Sequence, residues 1–144
     1  MEFRGKLRFL SNFWPCSVRI HGMDFPTVEH AYQACKSTNL QIKKFIQSSP
    51  TPGIAKRRGQ VIKLPASWNS YKLEVMEFLV REKFNDWYLA DKLIAINEEI
   101  QEGNKWGDTF WGVDLNSGKG ENHLGKILMK IRDEIQERKD SASI

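Results

Sequence analysis

Pro26-Thr27-Val28-Glu29-His30-Ala31-Tyr32-Gln33-Ala34-Cys35-Lys36 is the stretch whose reading decides the fold. A Pro-Thr pair ahead of a periodic run is a helix start, with Thr27 as the N-cap. At helical spacing Val28, Ala31 and Cys35 form a small apolar seam suited to close packing. Glu29, Tyr32, Gln33 and Lys36 fall at i, i+3, i+4 and i+7 and so share a second face. That face presents a carboxylate, a phenol, an amide and an amine along about two turns. On an arbitrary surface helix it would be a solvated Glu–Lys pair. The irregular stretches that accompany this helix favour a set of reacting groups.

Upstream, Lys6 to Leu10 alternates like a strand, and Cys16 to Ile20 alternates again. Between them Ser11-Asn12-Phe13-Trp14-Pro15 reads as a loop. Its two adjacent aromatics either pack beneath the loop or meet a planar ligand. His21 to Asp24 reads as a turn. Downstream, a short helix over Leu40–Ile46 carries Ile42, Phe45 and Ile46 on one side. Thr51 then caps a helix with Pro52 at its first position, running Gly53 to Arg58, with Gly59 as its C-cap. Lys56, Arg57 and Arg58 end that helix. They either balance the helix dipole or reach a phosphate.

A long helix is predicted from Ser67 or Trp68 to Phe84, with Trp68, Val75, Met76, Leu79, Val80 and Phe84 on a broad apolar face. Asp86 caps a shorter helix from Trp87 to about Ile96, and Glu98 to Gln101 reads as a brief strand. Trp106-Gly107-Asp108-Thr109-Phe110-Trp111-Gly112 is the second focus, because it has no amphipathic period. Glycine there permits close backbone approach, and an Asp beside Trp can be shielded from water, which sharpens its interactions. Gly118-Lys119-Gly120 lacks the spacing of a phosphate loop and reads as a turn. Asn122 is placed to cap a last helix with a stripe of Leu124, Ile127, Leu128, Ile131 and Ile135. Residues 139–144 are expected to fray.

The 144 residues suffice for one domain with its own core. About six helices and three or four short strands, in no βαβ order, predict an α+β fold: a helix-dominated single domain with a small antiparallel sheet. A net charge of +4 suits an anionic ligand and is too mild to imply nucleic acid by itself. Two Cys and three dispersed His give neither a disulfide framework nor a zinc pattern, and no metal or cofactor motif is present. No apolar run is long enough to span a bilayer, and the first residues lack the pattern of a secretory signal, so a cytoplasmic setting is expected. Aromatics can sandwich a ring, and two carboxylates can stabilise an oxocarbenium ion and activate water. A lysine held partly neutral can attack an anomeric carbon.

The segments Arg8-Phe9-Leu10-Ser11-Asn12-Phe13-Trp14-Pro15-Cys16 and Phe25 through Gln33 resemble motifs of the NADAR (YbiA-like) family. So do Thr51-Pro52 with Ala55-Lys56, Trp68, Lys83-Phe84, Trp106 through Gly112, and Gly118 through Asn122-His123-Leu124-Gly125-Lys126-Ile127-Leu128-Met129, all in the family's order. The resemblance covers nearly the whole chain. It implies an N-glycosidase with no cofactor. Its substrate would be a small phosphorylated ribosyl compound, such as the ribosylaminopyrimidine phosphates of riboflavin synthesis. Other members of the family remove ADP-ribose from guanine in nucleic acid, and a non-catalytic ADP-ribose or nucleotide-binding module is the reading of a different class.

By the resemblance, Glu29, Trp68, Asp108 and Trp111 line the site, and Lys36 falls where a nucleophilic lysine would stand. Glu29, Lys36 and Asp108 are thus the catalytic candidates. Asn12, Phe13, Trp14, Tyr32, Trp68, Trp106, Trp111 and Asn122 are the candidates for holding substrate. The expectation is that the rings share one concave site with Glu29 and Asp108. Two positions depart from the family pattern: Trp14 stands where Tyr is usual, and Gln60 where Arg is frequent.

Overall fold

The computed structural model describes residues 1–143. Its contacts group the chain into two compact units, where the sequence predicts a single domain. One is residues 12–83; the other joins residues 1–11 to residues 84 onward. Both are built of helices with very short strands, which makes the fold α+β.

In the 12–83 unit, β1 (Val18–Ile20) and β2 (Met23–Phe25) form an antiparallel hairpin with Ile20 opposite Met23. The turn residues His21 and Gly22 have φ of 52° and 74°, as a two-residue turn that matches strand twist requires. The predicted turn over 21–24 is therefore shorter, and β2 takes up its second half. Next comes α1 (Val28–Ala34), every residue of which is buried. It packs against the hairpin, α2 (Leu40–Gln47), α3 (Pro52–Gly59) and α4 (Trp68–Lys83), so it is the core of this unit.

The predicted N-caps of α1 and α3 form, whereas the C-cap of α3 is Gln60 and not the predicted Gly59, which is the last helical residue. Thr27 Oγ1 accepts from the His30 amide at 3.0 Å and Thr51 Oγ1 from the Ile54 amide at 3.1 Å. Of the predicted apolar side of α2 only Ile46 buries, together with Lys43, while Ile42 and Phe45 are exposed. The Lys43 ammonium reaches the carbonyl of Ala34 at 3.3 Å, and the Arg58 guanidinium covers the Phe45 ring at 4.1 Å. Lys83 closes α4 almost wholly buried. Burial pushes its amine down to about 8, against a pull upward from Cys16.

In the other unit, a 3-10 helix over Gly5–Leu10 replaces the strand predicted from alternation. Phe9 and Leu10 are adjacent and both buried, which a strand with alternating faces cannot arrange. Phe9 packs edge-on against Phe84 at 6.4 Å. Asp86 caps α5 (Trp87–Ile94) through the Leu89 amide at 3.0 Å. No strand forms over 98–101. Instead β3 (Gly103–Asn104) pairs with β4 (Val113–Asp114), and this pair is parallel. The last helix, α6 (His123–Ala142), buries Leu124, Ile127, Leu128, Ile131 and Ile135 as the stripe predicts. It also continues through the region expected to fray, as far as Ala142; Lys139 bonds Asp91 of α5 at 2.6 Å. Ile144 lies outside the described residues. Among the described residues no helix is long and apolar enough to cross a membrane.

Candidate functional site

The start of α1 is fixed from both sides. The Glu29 amide, one of the donors a first helical turn leaves unpaired, is taken by the Asn12 carbonyl at 3.1 Å. The His30 ring lies between the Thr27 hydroxyl at 2.7 Å and the Ser49 carbonyl at 2.9 Å. Because a carbonyl only accepts, Nε2 donates to it, and Nδ1 is bonded to the Thr27 hydroxyl. Glu29 is thereby held in place by the loop that contains Asn12 and by the loop before α3.

The face predicted to carry the chemistry is inside the protein rather than on its surface. Glu29, Tyr32 and Gln33 are all buried. Gln33 Nε2 donates to Glu29 Oε1 at 2.8 Å. Burial pushes the Glu29 carboxyl above the usual carboxylate range; the Gln33 bond, Lys56, Lys36 and His30 pull it back. Lys36 stands just past the end of the helix, with its ammonium 5.6 Å from the Tyr32 ring centre. Burial pushes the Lys36 amine below its ordinary value; Glu29 opposes this, while Lys56 and Lys72 push the same way. One buried carboxylate thus faces two lysines, Lys36 past the end of α1 and Lys56 of α3, and Lys72 of α4 acts in turn on Lys36.

A row of rings borders this group. Tyr32 lies 5.4 Å from Trp68, and Trp68 5.3 Å from Tyr71 at 85°. Trp68 is buried, so it is a wall of the region and not an open platform. Tyr71 and Lys72 were not singled out from sequence. They sit three and four residues after Trp68, and the helical spacing that places Trp68 inward also places them on its side. Asn12 gives its amide to the sulfur of Met76 at 3.5 Å, Phe13 is exposed, and Trp14 is partly buried.

The remaining candidates, Trp106, Asp108, Trp111 and Asn122, belong to the other unit. Asp108 Oδ1 accepts from the Phe110 amide at 3.1 Å and the Trp111 amide at 2.9 Å. Its own backbone is clamped by Asn104, whose Oδ1 takes the Asp108 amide at 3.0 Å and whose Nδ2 reaches the Asp108 carbonyl at 2.9 Å. Asn104 is fully buried and was not singled out from sequence. Gly112 closes this loop against Glu102 and Asn104, where a Cβ would collide with both. Trp106 does not shield Asp108: it is 68% exposed. Trp111 stacks edge-on with Phe110 at 4.8 Å, and Phe110 lies 4.5 Å from His123.

Asn122 differs from its expected role as a cap. It precedes α6 in the left-handed region, with φ of 54°, and makes no capping bond. Its amide donates to the Ile100 carbonyl and accepts from the Glu102 amide, both at 2.9 Å. These bonds fasten residues 100–102 and occupy both ends of the side chain that was expected to meet substrate. A surface concavity along the end of α6, lined by Glu134, Glu137, Arg138 and Ser141, contains none of the candidate residues.

The family model described as NADAR domain matches residues 2–136. A riboflavin biosynthesis protein of Vibrio vulnificus is 36% identical over 132 residues; the match covers 90% of this chain and 36% of that protein. The chain thus spans about a third of that relative's length. An N-glycosidase of Nostoc punctiforme is 35% identical over 132 residues, covering 88% of this chain and 84% of its own. The N-glycosidase YbiA of Escherichia coli is 32% identical over 128 residues, covering 87% and 79%. The NMR structure of Escherichia coli YbiA superposes with a TM-score of 0.83 at 29% identity, covering 96% of this chain and 86% of that one.

Proposed function

The chain belongs to the NADAR domain family, and from that membership we propose that it is an N-glycosidase, a hydrolase that breaks the C–N bond between a ribose phosphate and a base-like amine. The reading rests on one observation: a buried carboxylate, Glu29, beside Lys36 and Lys56, with Lys72 acting on Lys36, and bordered by Tyr32, Trp68 and Tyr71. With Lys36 as the amine, Lys56 and Lys72 near one carboxylate still leave an excess of positive charge, which suits a phosphorylated sugar. The favoured substrates are ribosylaminopyrimidine phosphates; a relative named for riboflavin biosynthesis and others named N-glycosidase support the reading.

Breaking the bond develops positive charge at the anomeric carbon, and the leaving nitrogen needs a proton. A fixed, ionised Glu29 lowers that barrier electrostatically. Lys36 attacks the ring-opened sugar: its nitrogen adds to the anomeric carbon, the bond to the base nitrogen breaks as that amine leaves with the proton given up by the lysine nitrogen, and the imine left on Lys36 is hydrolysed by water to free ribose phosphate and the lysine amine. Burial and two neighbouring ammoniums favour the uncharged amine this step needs. Asp108, with Oδ1 committed to the backbone, keeps its second oxygen for a sugar hydroxyl or a proton.

Two measurements test this. Ribosylaminopyrimidine phosphate and ADP-ribosylated guanine are each incubated with the protein, and mass spectrometry follows release of base. Turnover of the first supports the proposal; turnover of the second alone moves the activity to modified nucleic acid, and binding without release identifies a recognition module. Borohydride added during turnover traps sugar on Lys36, and Lys36→Arg abolishes turnover while leaving binding nearly intact. Measurable activity in Lys36→Arg with no adduct makes the lysine purely electrostatic.

A further inference from the structure

Gln33 is four residues after Glu29, and its side chain is 4% exposed. An amide at this spacing on a helix surface would be free to rotate. Here it is pressed against α3: a Cβ built on Gly59 would collide with Gln33 Oε1 and lie 2.6 Å from Cδ and 3.0 Å from Cβ. Gly59 does not have a positive φ, and the C-cap of α3 is Gln60 with φ of −64°. The glycine therefore provides room for the Gln33 amide; no turn geometry requires it.

The amide makes an uneven set of bonds. Nε2 donates to Glu29 Oε1 at 2.8 Å, and Oε1, buried against Gly59, has no hydrogen-bond partner. If Gln33 only filled space, leucine or methionine would fill it without an orphaned carbonyl, which is a destabilising feature. The orientation is also determined, because turning the amide over would set its oxygen against an ionised carboxylate.

We propose that Gln33 is a positioning residue for Glu29, aiming the carboxylate and holding it ionised, and that Gly59 is the gap on α3 that keeps the Gln33 amide in place. The inference rests on the N-glycosidase reading of Glu29. A donor fixed on Oε1 prevents rotation of the carboxylate and leaves its other oxygen for the reacting carbon. It also stabilises the charged form against burial. The other charged groups acting on Glu29 are Lys56 from α3, Lys36 after α1 and His30 of its own helix; α4 contributes Lys72, which acts on Lys36. Lys56, Lys36 and His30 act through space on the carboxylate charge. Gln33 alone holds one of its oxygens by a hydrogen bond among these groups.

The test uses Gln33→Leu and Gly59→Ala in the full chain, with two readouts. The first is carbon-13 NMR titration of the Glu29 carboxyl, assigned with Glu29→Gln, which needs no substrate. The second is kcat/KM against pH with ribosylaminopyrimidine phosphate. In both variants the Glu29 carboxyl should protonate at higher pH than in wild type. The acid limb of kcat/KM should move with it, so that activity at the acidic end falls roughly tenfold more than on the alkaline plateau. Gln33→Leu preserves bulk and apolar packing, so it carries the test if Gly59→Ala fails to fold. An unchanged titration with an equal loss of kcat/KM at every pH makes Gln33 a packing residue and overturns the proposal, while an inactive Glu29→Gln leaves the glycosidase reading standing. Near-normal turnover in Glu29→Gln overturns that reading, and the role of Gln33 with it.

Discussion

Glu29 and Asp108 begin as the same observation, an acidic residue among aromatics, and their surroundings diverge. Glu29 lies on a helix, so its neighbours are set by spacing: Gln33 below it, Tyr32 and Lys36 alongside, α3 and α4 against its face. One carboxylate oxygen takes a side-chain donor, and burial opposes the charge. Asp108 lies in a loop whose backbone amides have no ladder to join. Its Oδ1 supplies the missing acceptor to Phe110 and Trp111, and Asn104 ties the rest. Short polar side chains in irregular segments commonly bond to nearby backbone in this way. The general lesson is that a carboxylate in a loop must first be counted as a backbone partner, whereas Glu29 on its helix takes its hydrogen bond from a side chain.

The largest expected effect separates the two regions by charge removal at constant shape. Glu29→Gln keeps size and hydrogen bonding and should lower turnover by roughly 10²-fold or more. Asp108→Asn keeps an oxygen for the two loop amides, so the loop persists and only the charge is lost. Its turnover should fall about tenfold or less, the scale of one hydrogen bond to substrate. Steady-state kinetics on the two variants side by side is the check. A greater loss in Asp108→Asn than in Glu29→Gln would reverse the assignment and make the loop carboxylate the principal group.

What sequence could reveal follows the same division. The buried stripe of α6, the Thr27 and Thr51 caps and the extent of α4 were legible because helical period and capping chemistry are local. The face of α1 was legible as a grouping but not as an interior one, since burial of Glu29 depends on α3 and α4 covering it. Gly59 was read as a helix stop for the same reason; its actual reason is a side chain 26 positions earlier in the chain. The 3-10 turn at Gly5–Leu10 shows that five alternating residues are too few to establish a strand. Asn104 and Asn122 were invisible as clamps, because a buried amide bonding distant backbone leaves no periodic signature.

A smaller effect distinguishes the regions through stability. Removing the acceptor in Asp108→Ala leaves two loop amides without their partner and should cost about 1–3 kcal/mol. Asn122→Ala should fall at the upper end of that range, since it loses a donor and an acceptor from a buried site and leaves alanine in a left-handed conformation. Chemical denaturation with an unchanged m-value is the measurement. If Asp108→Ala is as stable as wild type, the loop is held by Asn104 alone and the structural role given to Asp108 Oδ1 is wrong.

The smallest expected effect has the opposite sign. Glu29→Gln should stabilise the protein while it abolishes most activity, because the surroundings of Glu29 work against its charge even with Lys36 and Lys56 nearby. The pH dependence gives the proof. The carboxyl is raised above its ordinary 4.5, so between that value and the raised one the folded state keeps a proton that the unfolded state has released. Unfolding in that window releases a proton, and wild-type stability falls as pH rises through it. The glutamine variant has no such proton to lose. Its Tm should exceed that of wild type at pH 7, by about 2–4 °C for each kcal/mol involved, and the two should converge below pH 4.5, where both forms are neutral. Such a stabilised, inactive variant is what a charge kept for chemistry predicts. If Glu29→Gln is instead less stable than wild type at pH 7, the carboxylate is a structural ion partner of the lysines, and the contrast with Asp108 disappears.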